Sequence, residues 1–169
     1  MAKRSFAHIN WTPGAGTADG ATLAAGYMAL KGGSATQLID ILEFTVEGMA
    51  GASNPTPLIL GYDSTLGTTP TALATPDSDG PMNPATAALA LPPVSFVAAA
   101  TNPQRSSSTS SPKLALGINA FGGILRYNIA PTQQISILGS GTSTGEISIS
   151  PYTGGTPGLV QTHLLYEPY

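Results

Sequence analysis

The sequence of 169 residues contains no cysteine, and this absence excludes three kinds of chemistry. A disulfide framework, a zinc site built from thiolates and a cysteine nucleophile all require thiol side chains. Charge is also scarce, because only 9% of the residues are Asp, Glu, Lys or Arg, against roughly 25% in an ordinary soluble domain. The surface must therefore be solvated mainly by hydroxyl, amide and main-chain groups.

The balance of charge excludes two classes of partner. Six Lys and Arg against nine Asp and Glu give a formal net charge of -3, and so few cations cannot neutralise a row of nucleic-acid phosphates or form a polybasic membrane patch. No apolar run approaches the roughly 18 residues of a membrane span, and the N-terminus has no apolar stretch of signal-peptide length. We expect synthesis in a cytoplasm, without nucleic acid or a membrane as partner.

Helical periodicity is nearly absent, whereas apolar and polar residues alternate with a period of two along much of the chain. The clearest strand is residues 37–47, where Leu38, Leu42, Phe44 and Val46 are expected on one face, with Ile39 and Ile41 on the other. Eight further strands are predicted at residues 26–30, 57–62, 94–98, 113–118, 123–128, 134–138, 145–150 and 160–166. Short strands separated by Gly, Pro, Asn and Thr clusters favour an all-β fold, an antiparallel sandwich or jelly roll.

The domain organisation predicted from composition is simple. Residues 21–169 are expected to form a single β-sandwich domain, and residues 1–20 an extended N-terminal arm that crosses a neighbouring molecule. One helical turn is predicted at residues 83–90, because Asn83 is a favourable N-cap and Pro84 suits the first helical position. Residues 139–141 (Gly-Ser-Gly) are expected to form a turn.

Candidates for catalysis or metal binding are few. His8 and His163 are the only imidazoles, and they could share a site with an Asp only if the two ends of the chain meet. Residues 77–80 (Asp-Ser-Asp-Gly) resemble the start of a calcium loop, but Ala88 stands where such a loop carries Glu, so a turn is favoured. The serines of residues 106–111 lack a nucleophile-elbow sequence and a neighbouring base. We expect no catalytic residue, no metal and no cofactor, and therefore no enzyme.

A single arginine stands in the otherwise apolar segment of residues 122–128, and it allows two interpretations. Arg126 could lie in a ligand groove beside Tyr127. Alternatively, its guanidinium could pair with a carboxylate or with loop carbonyls, within the chain or across a subunit boundary. The second interpretation is favoured.

Several segments resemble a family of small proteins from the structural regions of tailed phages and prophages. These segments are residues 23–37 (LAAGYMALKGGSATQ), 64–74 (STLGTTPTALA), 80–89 (GPMNPATAAL), 119–124 (NAFGGI), 130–134 (APTQQ) and 166–169 (YEPY). The resemblance extends over about residues 22–169. It implies a virion component of the capsid decoration or cement type, with a β-sandwich or jelly-roll fold, that sits as a trimer on the capsid lattice. It implies no catalytic or binding residues.

Two non-enzymatic functions follow from these observations. The first is a homo-oligomeric protein on the capsid surface of a virion, which binds the major capsid protein and stabilises the shell by non-covalent contacts. The alternative is a phage surface binding module, such as a head fibre or a receptor- or glycan-binding domain. Exposed aromatic side chains lining a groove would favour the alternative, and aromatic side chains buried at contacts would favour the first.

Overall fold

The computed structural model describes residues 6–15, 28–63, 66–72, 80–81, 94–101, 112–139, 144–151 and 158–169. Within these ranges the chain is almost entirely strand, and a 3-10 turn at Pro131–Gln133 is the only helical element. The strands are β1 Phe6–Ala15, β2 Met28–Lys31, β3 Leu38–Met49, β4 Pro55–Tyr62, β5 Thr68–Ala72, β6 Gly80–Pro81, β7 Val94–Thr101, β8 Pro112–Asn119, β9 Phe121–Asn128, β10 Ile135–Leu138, β11 Glu146–Pro151 and β12 Leu159–Pro168.

The strands form two six-stranded sheets, and all the described pairings are antiparallel. In the first sheet the order is β10-β3-β12-β1-β6, and β9 also pairs with β3. Strand β12 pairs with β3 along one of its edges. Strands β10 and β9 pair with successive parts of the other edge of β3. The second sheet has the order β5-β7-β2-β11-β4-β8.

Buried side chains from both sheets form one hydrophobic cluster. The cluster follows from strand alternation, since every second residue of a strand points to the same side. Its members in the first sheet include Ile39, Ile41, Phe44, Val46, Ile137, Val160, Leu164 and Tyr166, and those in the second sheet include Met28, Leu30, Leu58, Leu60, Ile147 and Ile149. Leu, Ile and Val therefore dominate the described core, although Ala is abundant in the sequence.

Strand β3 confirms the predicted strand at 37–47 but corrects the predicted faces. Ile39 and Ile41 are buried together with Phe44 and Val46, whereas Leu38 is exposed. The reason is a shift of register against β12: Leu165 pairs with Glu43, but the next residue of β12 pairs with Ile41. The extra residue in β3 inverts the alternation at that point, as a β-bulge does.

At one end, a tightly packed corner joins the two sheets. The β3–β4 and β8–β9 connections meet there. The amide of Ala50 donates to the carbonyl of Ala120 at 2.8 Å, and the amide of Ala120 donates to the carbonyl of Asn54 at 2.8 Å. The Asn119 side chain accepts a hydrogen bond from the Asn54 amide at 3.1 Å. At Gly48 a Cβ atom would lie 2.4 Å from the Ala120 carbonyl oxygen, so only glycine fits.

Each of the nine strands predicted from the sequence overlaps an observed strand, whereas β1, β5 and β6 were not predicted. Strands β5 and β6 were not predicted because neither contains a run of alternating apolar and polar residues. Strand β1 lies within the predicted N-terminal arm of residues 1–20, and it pairs with β12 and β6 of its own chain. The main-chain groups of residues 6–15 thus pair within the first sheet, and an arm across a neighbouring molecule stays a prediction. The predicted helical turn at 83–90 lies outside the described residues.

Candidate functional site

The face of the first sheet that turns away from the hydrophobic cluster carries a row of polar side chains, and we call it the outer face. Thr45 of β3 pairs with Arg126 on β9 and with His163 on β12, so these three residues form one rung across three strands. Cross-strand partners project to the same side of a sheet. The neighbouring rung contains Glu43 between Asn128 and Leu165.

Arg126 and Glu43 form a two-pronged ion pair on this face. The Arg126 guanidinium donates through Nε to Glu43 Oε1 at 2.9 Å and through Nη2 to Oε2 at 2.8 Å. The hydrogen bonds to Glu43 raise the pKa of Arg126 further, so it stays charged. This confirms the carboxylate interpretation of Arg126, and the carboxylate belongs to the same chain. Tyr127 faces the other way, with its ring 5.8 Å from that of Phe44, so the groove interpretation is wrong.

His163 lies half-buried on the outer face, close to Glu43, Glu47 and Arg126. Burial lowers its pKa, the two carboxylates oppose this effect, and Arg126 adds to it. The imidazole is therefore predominantly neutral at pH 7. His163 thus lies beside the ion pair of Arg126 and Glu43, with the Glu47 carboxylate as a second anionic neighbour.

Five of the six acidic residues in the described ranges are buried, a feature that the sequence analysis missed. Glu146 and Asp63 contact each other in the second sheet, and both are fully buried. Glu146 accepts hydrogen bonds from the Gly67 amide at 3.1 and 3.2 Å, while Asp63 accepts one from the Ser148 hydroxyl at 2.7 Å. Burial raises the pKa of Glu146, and its hydrogen bonds and nearby Lys31 only partly offset this effect.

A second acidic pair lies at the far end of β3. Asp40 and Glu167 are cross-strand partners and both are buried. Asp40 accepts hydrogen bonds from the Ser136 hydroxyl and from Gln134 Nε2 (3.1 Å), and Glu167 accepts one from the Tyr169 hydroxyl at 3.1 Å. Desolvation of that hydroxyl, together with the two adjacent carboxylates, raises the pKa of Tyr169 to about 12. The Tyr169 amide also donates to the Leu38 carbonyl at 2.8 Å, and this bond holds Tyr169 against β3.

The buried acids are held by bonds from the chain itself. They accept hydrogen bonds from amides, hydroxyls and a guanidinium, and such bonds compensate the cost of burying a charge. Among the described residues there is no group of three or more His, Cys, Asp or Glu side chains that could hold a metal ion. In the same ranges no helix is long and apolar enough to cross a membrane.

Apolar side chains are exposed at the corner end of the outer face. Met49, Phe121, Ile124 and Leu159, which we call the apolar corner, have exposed fractions of 49%, 58%, 73% and 40%. Met49 of β3 pairs with Phe121 of β9, the strand that also contains Ile124. Leu159 of β12 directly precedes Val160, which pairs with Gly48 of β3. The four residues therefore lie on the three adjacent strands β9, β3 and β12. Contiguous exposed apolar groups of this kind mark contact surfaces.

Some candidate residues from the sequence lie outside the ranges that the structure describes. Residues 77–79 and the serine run 106–111 are among them, and of His8 only the main chain is described. The main chain of β1 pairs with that of β12, so the two ends of the chain do meet. His8 pairs with Leu164, whereas His163 pairs with Ile9, so the two histidines occupy successive rungs rather than one.

Comparison with protein-family models, with curated proteins and with solved structures gave no match to this chain.

Proposed function

We propose that this chain is a structural virion protein that binds the outside of a tailed-phage capsid as a decoration or cement protein. In this proposal the two sheets form a jelly-roll sandwich, and the chain assembles as a homo-oligomer, with the trimer as the form that the sequence resemblance implies. It binds the major capsid protein and stabilises the shell by non-covalent contacts. It carries out no catalysis and needs no cofactor.

The observation that carries the proposal is the combination of buried acids with exposed apolar side chains. Five of the six acidic residues that the structure describes are buried, so the described surface is even less charged than the composition suggests. At the same time large apolar side chains are exposed, among them Phe121, Ile124 and Leu138. A nearly uncharged surface with apolar groups suits close contact with other protein subunits over a wide area, repeated by symmetry.

The alternative, a glycan- or receptor-binding module, receives less support from the aromatic side chains. Among the side chains whose burial the structure describes, the exposed aromatic rings are Phe121 and Tyr169. They lie at opposite ends of β3, because Phe121 pairs with Met49 whereas the Tyr169 amide donates to the Leu38 carbonyl. A depression of about 320 Å³ beside β8 and β9 has Tyr127 as its one aromatic lining residue.

The test uses phage heads assembled without this chain, to which the purified protein is added back. We expect the protein to sediment with expanded heads at a fixed stoichiometry and to raise the temperature at which the heads rupture, since a ligand that binds only the intact shell stabilises it by mass action. Heads incubated with an unrelated acidic β-protein are the control. Absence of co-sedimentation, or binding without any rise in rupture temperature, would contradict a cementing role.

A further inference from the structure

The second sheet carries a buried row of ionisable side chains on the side that faces away from the hydrophobic cluster. Glu146 of β11 pairs with Lys31 of β2, and the amide of Asp63, directly after β4, donates to the Glu146 carbonyl at 3.4 Å. The three residues thus lie side by side across three adjacent strands. Because Ile147 points into the cluster, the Glu146 side chain points the other way. Glu146 and Asp63 are nevertheless fully buried, so this side of the sheet is covered.

Gly67, which directly precedes β5, is bound to this row through both of its main-chain groups. Its amide donates to the two carboxyl oxygens of Glu146 at 3.1 and 3.2 Å. Its carbonyl accepts a hydrogen bond from Lys31 Nζ at 3.0 Å. Gly67 is itself buried, whereas Thr68 and Thr69, which follow it, are exposed. Side chains from two strands therefore hold one residue of the segment that covers them.

The main chain is strained two residues further on. Thr69 has a φ of 45°, a left-handed conformation that β-branched residues rarely adopt, and it precedes Pro70, before which extended angles are favoured. Strain of this kind persists only where surrounding contacts enforce it. The bonds of Gly67 and the pairing of β5 with β7 enforce it here, so loss of the Gly67 bonds would let the segment relax.

The charge of the row depends on one proton. The side chains of Asp63 and Glu146 are hydrogen-bonded to each other, and such a bond requires a proton on one of the two carboxyl groups. With that proton the pair carries one negative charge, which nearby Lys31 offsets, and without it a second negative charge is buried beside the first. Strands β5 and β7 contain no charged residue that could offset it. Burial raises the pKa of Glu146 and so favours the protonated pair.

We propose that Asp63 and Glu146 form a pH-sensitive latch, which holds the segment at Gly67 against the second sheet while the pair keeps its proton and releases the segment when the proton passes to solvent. Two adjacent buried carboxylates repel each other and lack hydration. Movement of the Gly67 segment admits water to both, and the strain at Thr69 favours that movement. The inference concerns this chain alone and does not depend on the proposed function.

The test measures amide hydrogen exchange of the full chain between pH 5 and pH 9, by mass spectrometry of peptides that contain residue 67. Dividing the intrinsic rate by the observed rate gives a protection factor without the direct effect of pH on exchange. The protection of Gly67 should fall at least about tenfold as the pH rises, and at pH 9 it should be far below that of β3, because the latch opens while the sheets stay folded.

Two variants replace the shared proton by an amide hydrogen that does not titrate. Glu146→Gln and Asp63→Asn should each keep Gly67 protected at pH 9, at least about tenfold better than in the unchanged chain. Having both variants keeps the test decisive if one of them does not fold. Glu47→Gln is the matched control, because Glu47 is a half-buried acid of the first sheet, and it should lose the protection of Gly67 as the unchanged chain does.

Three outcomes would overturn the latch. The first is protection of Gly67 that does not change with pH. The second is equal protection of Gly67 and β3 at every pH, which would mean that this segment opens only when the whole chain unfolds. The third is a loss of protection in the folded E146Q and D63N variants as large as in the unchanged chain. Because capsids are absent from the experiment, none of these outcomes bears on head binding.

Discussion

At the scale of single residues, the main feature of this protein is where its few charges lie. Asp40, Asp63 and Glu146 are held inside by amides and hydroxyls of the chain itself. Each buried carboxylate must receive such bonds, because an ionised group without them is far more costly to bury. The sequence contained a signal for one of them, since Asp40 interrupts an apolar run, but nothing local indicated the partners.

The Glu146 side chain leads to a prediction about pH. Burial raises the pKa of Glu146 in the folded state above its value in the unfolded chain. Protonated Glu146 therefore stabilises the folded protein at pH values below the pKa that Glu146 has in the unfolded chain. This contribution to the free energy of unfolding is lost as the pH rises through the pKa of the folded state, by about 1.4 kcal/mol for each unit of difference between the two pKa values. Glu146→Gln should therefore flatten the decline in the free energy of unfolding from acidic to mildly alkaline pH, measured by urea denaturation at several pH values.

Glu47→Gln is the matched control for that experiment, because Glu47 is an acid of the first sheet that is only half-buried. Because Glu146 is intact in this variant, the decline in the free energy of unfolding with rising pH should persist. An E146Q variant that keeps the full pH dependence would show that another group is responsible for it.

At the scale of elements, the corner between the sheets depends on close approach of main chains. Gly48 faces the Ala120 carbonyl, and the amide of Gly158 donates to the Thr56 hydroxyl at 3.0 Å in the same region. Nothing in the local sequence around Gly48 distinguishes it from a turn glycine. The need for glycine arises from Ala120 in the β8–β9 connection, which is more than seventy residues away in the chain.

Gly48→Ala should destabilise the protein by about 1–3 kcal/mol, the usual cost of overpacking a tight site, because the added Cβ would overlap main-chain atoms that cannot rotate away. Gly117→Ala is the control: a Cβ there meets nothing within 4 Å, and the strand conformation suits alanine. Thermal melting of both variants gives the comparison. Equal melting temperatures would contradict the proposed role of the corner.

At the scale of the whole molecule, the two sheets share one hydrophobic cluster and should therefore lose their structure together. Leu60 of the second sheet is buried in this cluster. Leu60→Ala should lower the free energy of unfolding by about 2–5 kcal/mol, and it should accelerate amide hydrogen exchange in β3 as well as in β4, because both strands depend on the same core.

Leu138→Ala controls for the loss of a leucine as such, since Leu138 is largely exposed. It should change the free energy of unfolding by no more than about 0.5 kcal/mol. Faster exchange confined to β4 in the Leu60→Ala variant would mean that the sheets unfold independently.

The sequence predicts those parts of the fold whose sequence pattern is set within one segment of the chain. Alternation located nine strands, among them β3, β11 and β12, because the period of two reflects the geometry of each strand alone. It failed at Leu38 and Ile39, where a register shift against β12 inverts the faces. It also failed for β5 and β6, which contain Pro or Gly and show no alternation of apolar and polar residues. Their place in the sheets depends on pairing with neighbouring strands.

The sequence by itself determined the fold class and the weakly charged character of the surface, because both follow from composition and from short-range alternation. Only the tertiary structure decided which acids are buried, that Arg126 binds Glu43, and that Met49, Phe121, Ile124 and Leu159 lie together. These arrangements join residues from strands far apart in the chain. Their energies depend on register, burial and close approach, which are properties of the assembled sheets and not of any segment.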